Sequence, residues 1–151
     1  MSGTRLVSVG AAGAACVAGL AGLAFDWATA GDSGARFFTL ISQSSALSVT
    51  LCLAYLLFTP VTLGLAAASW FGPPRATRYA RGAVLAALGG LAAIGGVGYR
   101  ILAADLDPGL GWYLSAGAGL ATVVAAVAAA INARRAAQTP HIGGHVPTPD
   151  R

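Results

Sequence analysis

Lysine and glutamate are absent from this 151-residue sequence, and charged residues of any kind make up only 9% of it. A soluble domain carries about 25%, so the charge needed to cover a water-facing globule is missing. Cysteine occurs only as Cys16 and Cys52, both inside apolar runs and without a CxxC pair. That excludes a disulfide scaffold and leaves each thiol as a small apolar group. Histidine is confined to His141 and His145, which Gly143 and Gly144 separate and Pro140 and Pro147 flank. No helix would hold both on one face, and neither a metal nor a cofactor is expected. No long apolar run carries Asp, Glu, Lys, Arg or His at its centre, which removes the carboxylate on which proton-coupled transport depends.

What is present is apolar. The broad hydrophobic count is 56%, glycine numbers 21, and the mean hydropathy is +0.72. This excludes a disordered chain, which needs low hydrophobicity and high charge. The net charge of +4 comes entirely from Arg against Asp. These arginines are spread thinly and cluster only beside apolar runs, so the expected partner is a membrane surface and not nucleic acid.

Four runs are long enough to cross the ~30 Å hydrocarbon core, which takes about 20 helical residues. They cover 6–24, 46–70, 82–102 and 112–131, and an apolar, hydroxyl-rich lead-in at 37–45 precedes the second. Backbone polar groups cannot stay unpaired in lipid, so each run reads as a helix. None alternates as a barrel strand does, and no strand is expected. The fold class is an all-α integral membrane protein, with four transmembrane helices in an antiparallel bundle over residues 1–137 and a flexible cytoplasmic tail over 138–151. Arg5, the first apolar run and Ala28-Thr29-Ala30 also fit a cleavable signal peptide. That run exceeds the usual ~7–15 residues of such a segment, and Asp26 and Trp27 crowd the cleavage site, so a retained helix is expected.

The arginines set the direction of threading. Four crossings put Arg5, Arg75, Arg78, Arg81, Arg134, Arg135 and Arg151 on one side, against Arg36 and Arg100 on the other. The positive-inside rule then places both termini and the central loop in the cytoplasm of a bacterial inner membrane. Trp27, Trp70, Tyr79, Tyr99, Trp112 and Tyr113 fall near the ends of the runs, where amphipathic rings favour the membrane interface. Arg75, Arg78 and Arg81 follow the Gly72-Pro73-Pro74 break at spacing three and stack on one helical face. They read as a topology determinant or as ligands for anionic lipid headgroups, worth about 1 kcal/mol each.

Helices in lipid associate through close backbone approach and hydrogen bonds. Small residues recur as Gly10, Ala14, Ala18 and Gly22 in the first run. Gly82, Ala86, Gly90 and Gly98 do so in the third, and Gly117, Ala121, Ala125 and Ala129 in the fourth. Internal packing is their expected use, with a homodimer seam as the alternative. In the second run Pro60 is expected to kink the helix and free the carbonyl four residues before it. Thr59 and Thr62 are the local candidates to satisfy that carbonyl, and Tyr55, one turn away, is within reach of Thr59. On the non-cytoplasmic side Asp26, Arg100, Asp105 and Asp107 form a polar cluster. It reads as a pinned loop, and as a catalytic or cation site only in second place.

The segment Pro108-Gly109-Leu110-Gly111-Trp112-Tyr113-Leu114-Ser115-Ala116-Gly117-Ala118 resembles small actinobacterial membrane proteins in which a Pro-Gly-x-Gly-aromatic turn opens the last helix. Phe25-Asp26-Trp27 is similar to the aromatic exit of their first helix. The tryptophan-associated transmembrane proteins are one such group. The resemblance covers about a dozen residues and the four-span plan, implies an inner-membrane accessory protein, and carries over no catalytic residue. The expected function is a non-enzymatic structural or interaction subunit, bound to membrane lipids and to other membrane proteins or itself. A small oligomeric channel or transporter subunit built around the second helix is the alternative, and a membrane enzyme using the Asp/Arg cluster is the third reading.

Overall fold

The computed structural model describes residues 3–43, 45–71 and 76–138, without the side chains at 43, 45, 66–71, 76–80, 136 and 137. The Gly72-Pro73-Pro74 break, Arg75 and the tail with His141 and His145 lie outside the described residues, as do the side chains of Arg78, Trp70 and Tyr79. Four long helices dominate: α1 (Gly3–Ala24), α3 (Ser45–Phe71), α4 (Ala76–Ala103) and α5 (Leu110–Gln138), with a short α2 (Phe37–Gln43) ahead of α3. Each long helix is apolar and long enough to cross a membrane. Their outward faces carry Val17, Leu20, Leu56, Leu85 and Leu120, each more than half exposed. Covering such faces with lipid removes the cost of presenting them to water.

α1 packs most extensively against α5, and α3 and α4 complete the bundle. α1 and α5 run antiparallel. Thr4 near the start of α1 bonds Asn132 near the end of α5, while Gly22 at the other end of α1 lies against Gly111 and Ser115. The contact face of α1 is Ser8, Ala12, Ala15, Gly19 and Gly22. That corrects the expected ridge, since Gly10 and Ala14 are exposed. Repeated steps of four rotate about 40° each and drift off a face, whereas alternating steps of four and three stay on it. The same correction holds in α5. Gly117 is exposed, and the face turned to α1 runs through Gly111, Ser115, Ala118, Thr122 and Ala125, with Gly119, Ala126 and Ala128 also buried. In α4 the expected face is right at Gly90, Ile94 and Gly98, all buried, while Gly82 is exposed. Pro60 lies inside α3 without ending it.

Three strands, unexpected from the sequence, close one end of the bundle. β1 (Asp26–Ala30) pairs antiparallel with β2 (Ser33–Arg36) on one side and with β3 (Asp107–Pro108) on the other. Gly31, at φ 59°, opens the two-residue turn from β1 to β2, the position where such hairpins call for glycine. A register shift between Asp26 and Ala28 leaves Trp27 as a bulge. The bulge lets two successive residues, Trp27 and Ala28, both face inward.

The core is graded along the bundle axis. Near the strands it is bulky, with Trp27, Phe37, Leu40, Leu51, Val97 and Ile101 buried and Tyr55 and Trp112 packed against them. Toward the other end it thins to Ala12, Ala87, Ala125, Ala126 and Leu65, so the helices there meet through methyl groups.

Candidate functional site

The chemistry-bearing residues gather at the strand end, and the turn at 108–112 organises them. Pro108 lies opposite Ala28 in the sheet, where its missing N–H does no harm on an edge strand. The Gly109 N–H donates to the Trp27 carbonyl at 2.9 Å, and the Gly109 carbonyl accepts from the amides of Trp112 and Tyr113, which starts α5. A methyl group on Gly109 would strike the Asp26 carbonyl. One on Gly111 would lie 2.6 Å from the Phe25 carbonyl and from the Trp27 ring. Both glycines are therefore required by close approach of backbone to backbone.

Two indoles lock this joint. Trp27 Nε1 donates to the Gly22 carbonyl at 2.8 Å, satisfying an acceptor in the last turn of α1. Trp112 lies over Gly98 and donates from Nε1 to the Ile94 carbonyl at 3.0 Å. Trp27 is thus wholly buried and acts as a core residue, which corrects its expected place as an interfacial ring. Tyr99 and Tyr113 are exposed, 75% and 57%.

Beneath the indoles lies a polar joint inside the bundle. The Tyr55 hydroxyl is 3.0 Å from Ser115 Oγ and 3.3 Å from the Gly19 carbonyl. Tyrosine has one proton, so both contacts are satisfied when Ser115 donates to Tyr55 and Tyr55 donates to Gly19. The joint links α3, α5 and α1, and the rings of Phe37 and Phe58 pack edge-on to Tyr55. It replaces the expected Tyr55–Thr59 contact. Sequence reasoning missed Ser115 as a partner, although it is the first hydroxyl on the small-residue face of α5, one turn after Gly111. Other buried hydroxyls are also engaged. Ser8 donates to the Ala125 carbonyl of α5 at 3.2 Å. Thr122 donates to Ala118, and Thr62 to Phe58 and Thr59.

The charged cluster is arranged around this cap. Asp26 faces Arg36 at 3.7 Å across the hairpin, with both side chains substantially exposed. The Asp107 carbonyl accepts from Thr29 Oγ1 at 3.3 Å. Asp105 stands at φ 55° just after α4. Its N–H donates to the Leu102 carbonyl and the Leu106 N–H to Ile101, the paired bonds of a Schellman helix stop with Asp105 in the place usually taken by glycine. Arg100 is exposed in the last turn of α4, where a cation favours the helix dipole. Arg81 is exposed near the start of that helix, at the opposite end. Among the described residues no three of His, Cys, Asp and Glu gather into a metal-binding group. Comparison with known protein families, with curated proteins and with solved structures finds no match.

Proposed function

We propose that this chain is a structural or interaction subunit of a bacterial inner membrane, with both termini and the α3–α4 connection in the cytoplasm and the three-stranded cap outside. The orientation rests on the arginine bias of the sequence. The pairing of β1 with β3 supports the same threading, because it brings the two connections assigned to one side together. The resemblance of the 108–118 turn to small actinobacterial membrane proteins fits an accessory role, and the joint built by that turn gives it a physical task. In this reading Arg75, Arg78 and Arg81 fix the threading and meet anionic headgroups.

The observation that carries the reading is how the interior hydroxyls are used. Ser8, Tyr55 and Ser115 bond neighbouring helices and so tie the bundle together, while Thr62 and Thr122 bond carbonyls of their own helix. The channel alternative needs such groups turned to a water-filled path. Reconstitution into liposomes tests this directly. No flux of small solutes is expected, and capture from native membranes should retrieve defined membrane partners or further copies of the chain. Reproducible flux that disappears on Tyr55→Phe or Thr59→Val would overturn the proposal.

A further inference from the structure

The sheet of the cap leaves one edge open. In the order β2-β1-β3, strand β2 is bonded to β1 alone. Ala30 and Ser33 close the two-residue hairpin as a hydrogen-bonded pair, so Thr29 and Gly34 form a non-bonded one and Ala28 and Ala35 a bonded one again. The N–H and C=O of Gly34 therefore point away from β1, and no turn or loop bond among the described residues engages them. A bare edge of this kind is a template for another strand. Charges of opposite sign flank it. Asp32 lies two residues before Gly34 and Arg36 two residues after, and all three are exposed. The Asp26 carboxylate lies over Gly34, where a side chain would strike it, and faces Arg36 Nε at 3.7 Å. The Arg36 side chain remains 71% exposed, and a guanidinium with five donors has some to spare for a second carboxylate.

We infer that β2 pairs antiparallel with the β2 of a second copy, which rests on the reading of the chain as a membrane interaction subunit and names its partner. Centred on Gly34, the pairing sets Gly34 against Gly34, so that each N–H donates to the other carbonyl. It also sets Arg36 beside Asp32 of the other copy, and two-fold symmetry repeats that ion pair at the far end of the seam. A slip of two residues in either direction loses both pairs, so the charges fix the register. The axis of an antiparallel pair stands perpendicular to its sheet. Because the cap turns Trp27 and Ala28 into the end of the bundle, that axis follows the bundle, the direction that relates two copies threaded the same way.

Exchanging the charges gives the test, read as energy transfer between labelled full chains in liposomes. Asp32→Arg sets like charges together at both ends of the seam, and so does Arg36→Asp. Each variant should associate with itself about two- to thirtyfold more weakly than the unaltered chain, the range of two cross-strand ion pairs. Mixed with each other, the two variants should regain that affinity, because opposite charges then meet at both ends. No role of Asp32 or Arg36 within one chain produces rescue by mixing. A second measurement leaves the charges intact. With Cys16→Ser and Cys52→Ser as background, chains carrying Ser33→Cys and chains carrying Ala35→Cys face each other in this register. Copper phenanthroline should join the mixed pair in preference to either chain with itself. Unaltered chains that stay monomeric, mixing that rescues nothing, or cross-links without preference for the mixed pair would each overturn the seam. Alkaline extraction of native membranes separates this failure from a deeper one. A chain that stays in the pellet without these pairings refutes the seam alone, and a chain released to the supernatant refutes the membrane reading as well.

Discussion

The hydroxyls of Tyr55 and Ser115 meet 3.0 Å apart between α3 and α5, with the Gly19 carbonyl of α1 completing the contact. Three helices therefore share one polar joint. Tyr55→Phe and Ser115→Ala should each destabilise the bundle by about 1 kcal/mol, the scale of interhelical hydrogen bonds in membranes. The double variant should lose less than the sum, because both changes remove the same interaction. Reversible unfolding in mixed micelles, run as a double-mutant cycle, measures the coupling.

The glycines divide sharply by surroundings. A methyl at Gly111 or Gly98 would come within 2.6 Å of existing atoms, whereas one at Gly10 or Gly117 would meet no neighbouring element within 4 Å. Gly111→Ala should cost at least about 1–3 kcal/mol by overpacking against backbone that cannot yield. Gly10→Ala and Gly117→Ala should be neutral or slightly stabilising, by up to about 1 kcal/mol of helix propensity. Thermal unfolding of the purified variants in detergent distinguishes the pairs.

Asp105 provides a test of structure against catalysis. Its left-handed backbone at φ 55° favours Gly and Asn. Asp105→Asn and Asp105→Gly should leave abundance and melting temperature unchanged or raised, while Asp105→Val should lower stability by about 1–2 kcal/mol. An enzymatic function lost in Asp105→Asn at normal abundance would contradict the structural role.

Arginine placement should decide threading. Replacing Arg75, Arg78 and Arg81 together with neutral residues should produce mixed orientation in reporter fusions at the termini. A uniform orientation in that variant would show that the remaining arginines suffice.

The mature chain should keep α1. Cleavage after Ala30 would remove the Thr4 and Ser8 bonds to α5, the Gly19 carbonyl that accepts from Tyr55 of α3, and Trp27 itself together with its Gly22 acceptor. Intact mass of the protein from native membranes should include residues 6–30.

The parts of the fold set by the medium were readable from residues alone. Hydropathy located all four long helices because each is a long, nearly continuous apolar run. In α4 the steps of four from Gly90 to Ile94 and Gly98 coincide with the buried stripe, which also holds Ala87, Val97 and Ile101. In α1, by contrast, alanine and glycine lie on every side, so a four-residue rhythm selects Gly10 and Ala14 as readily as Ala12 and Ala15. The strands escaped notice for a different reason. β3 is Asp107–Pro108 alone, too short to alternate, and it is a strand only because folding brings it beside β1. Likewise, Gly109 and Gly111 stood out as a turn, but their backbone contacts with Asp26 and Phe25 depend on a segment more than eighty positions earlier.

The cap has a mechanical corollary. Spreading the helices where β1 joins β3 would tear backbone ladder bonds and withdraw the buried Trp27 and half-buried Trp112 indoles from their carbonyls, while among the described residues the far ends of α1 and α5 are tied by the Thr4–Asn132 side-chain bond and backed by alanines. The bundle is consequently clasped at one rim and compliant at the other, and slow amide exchange should concentrate beneath the tryptophans and fade toward the arginines.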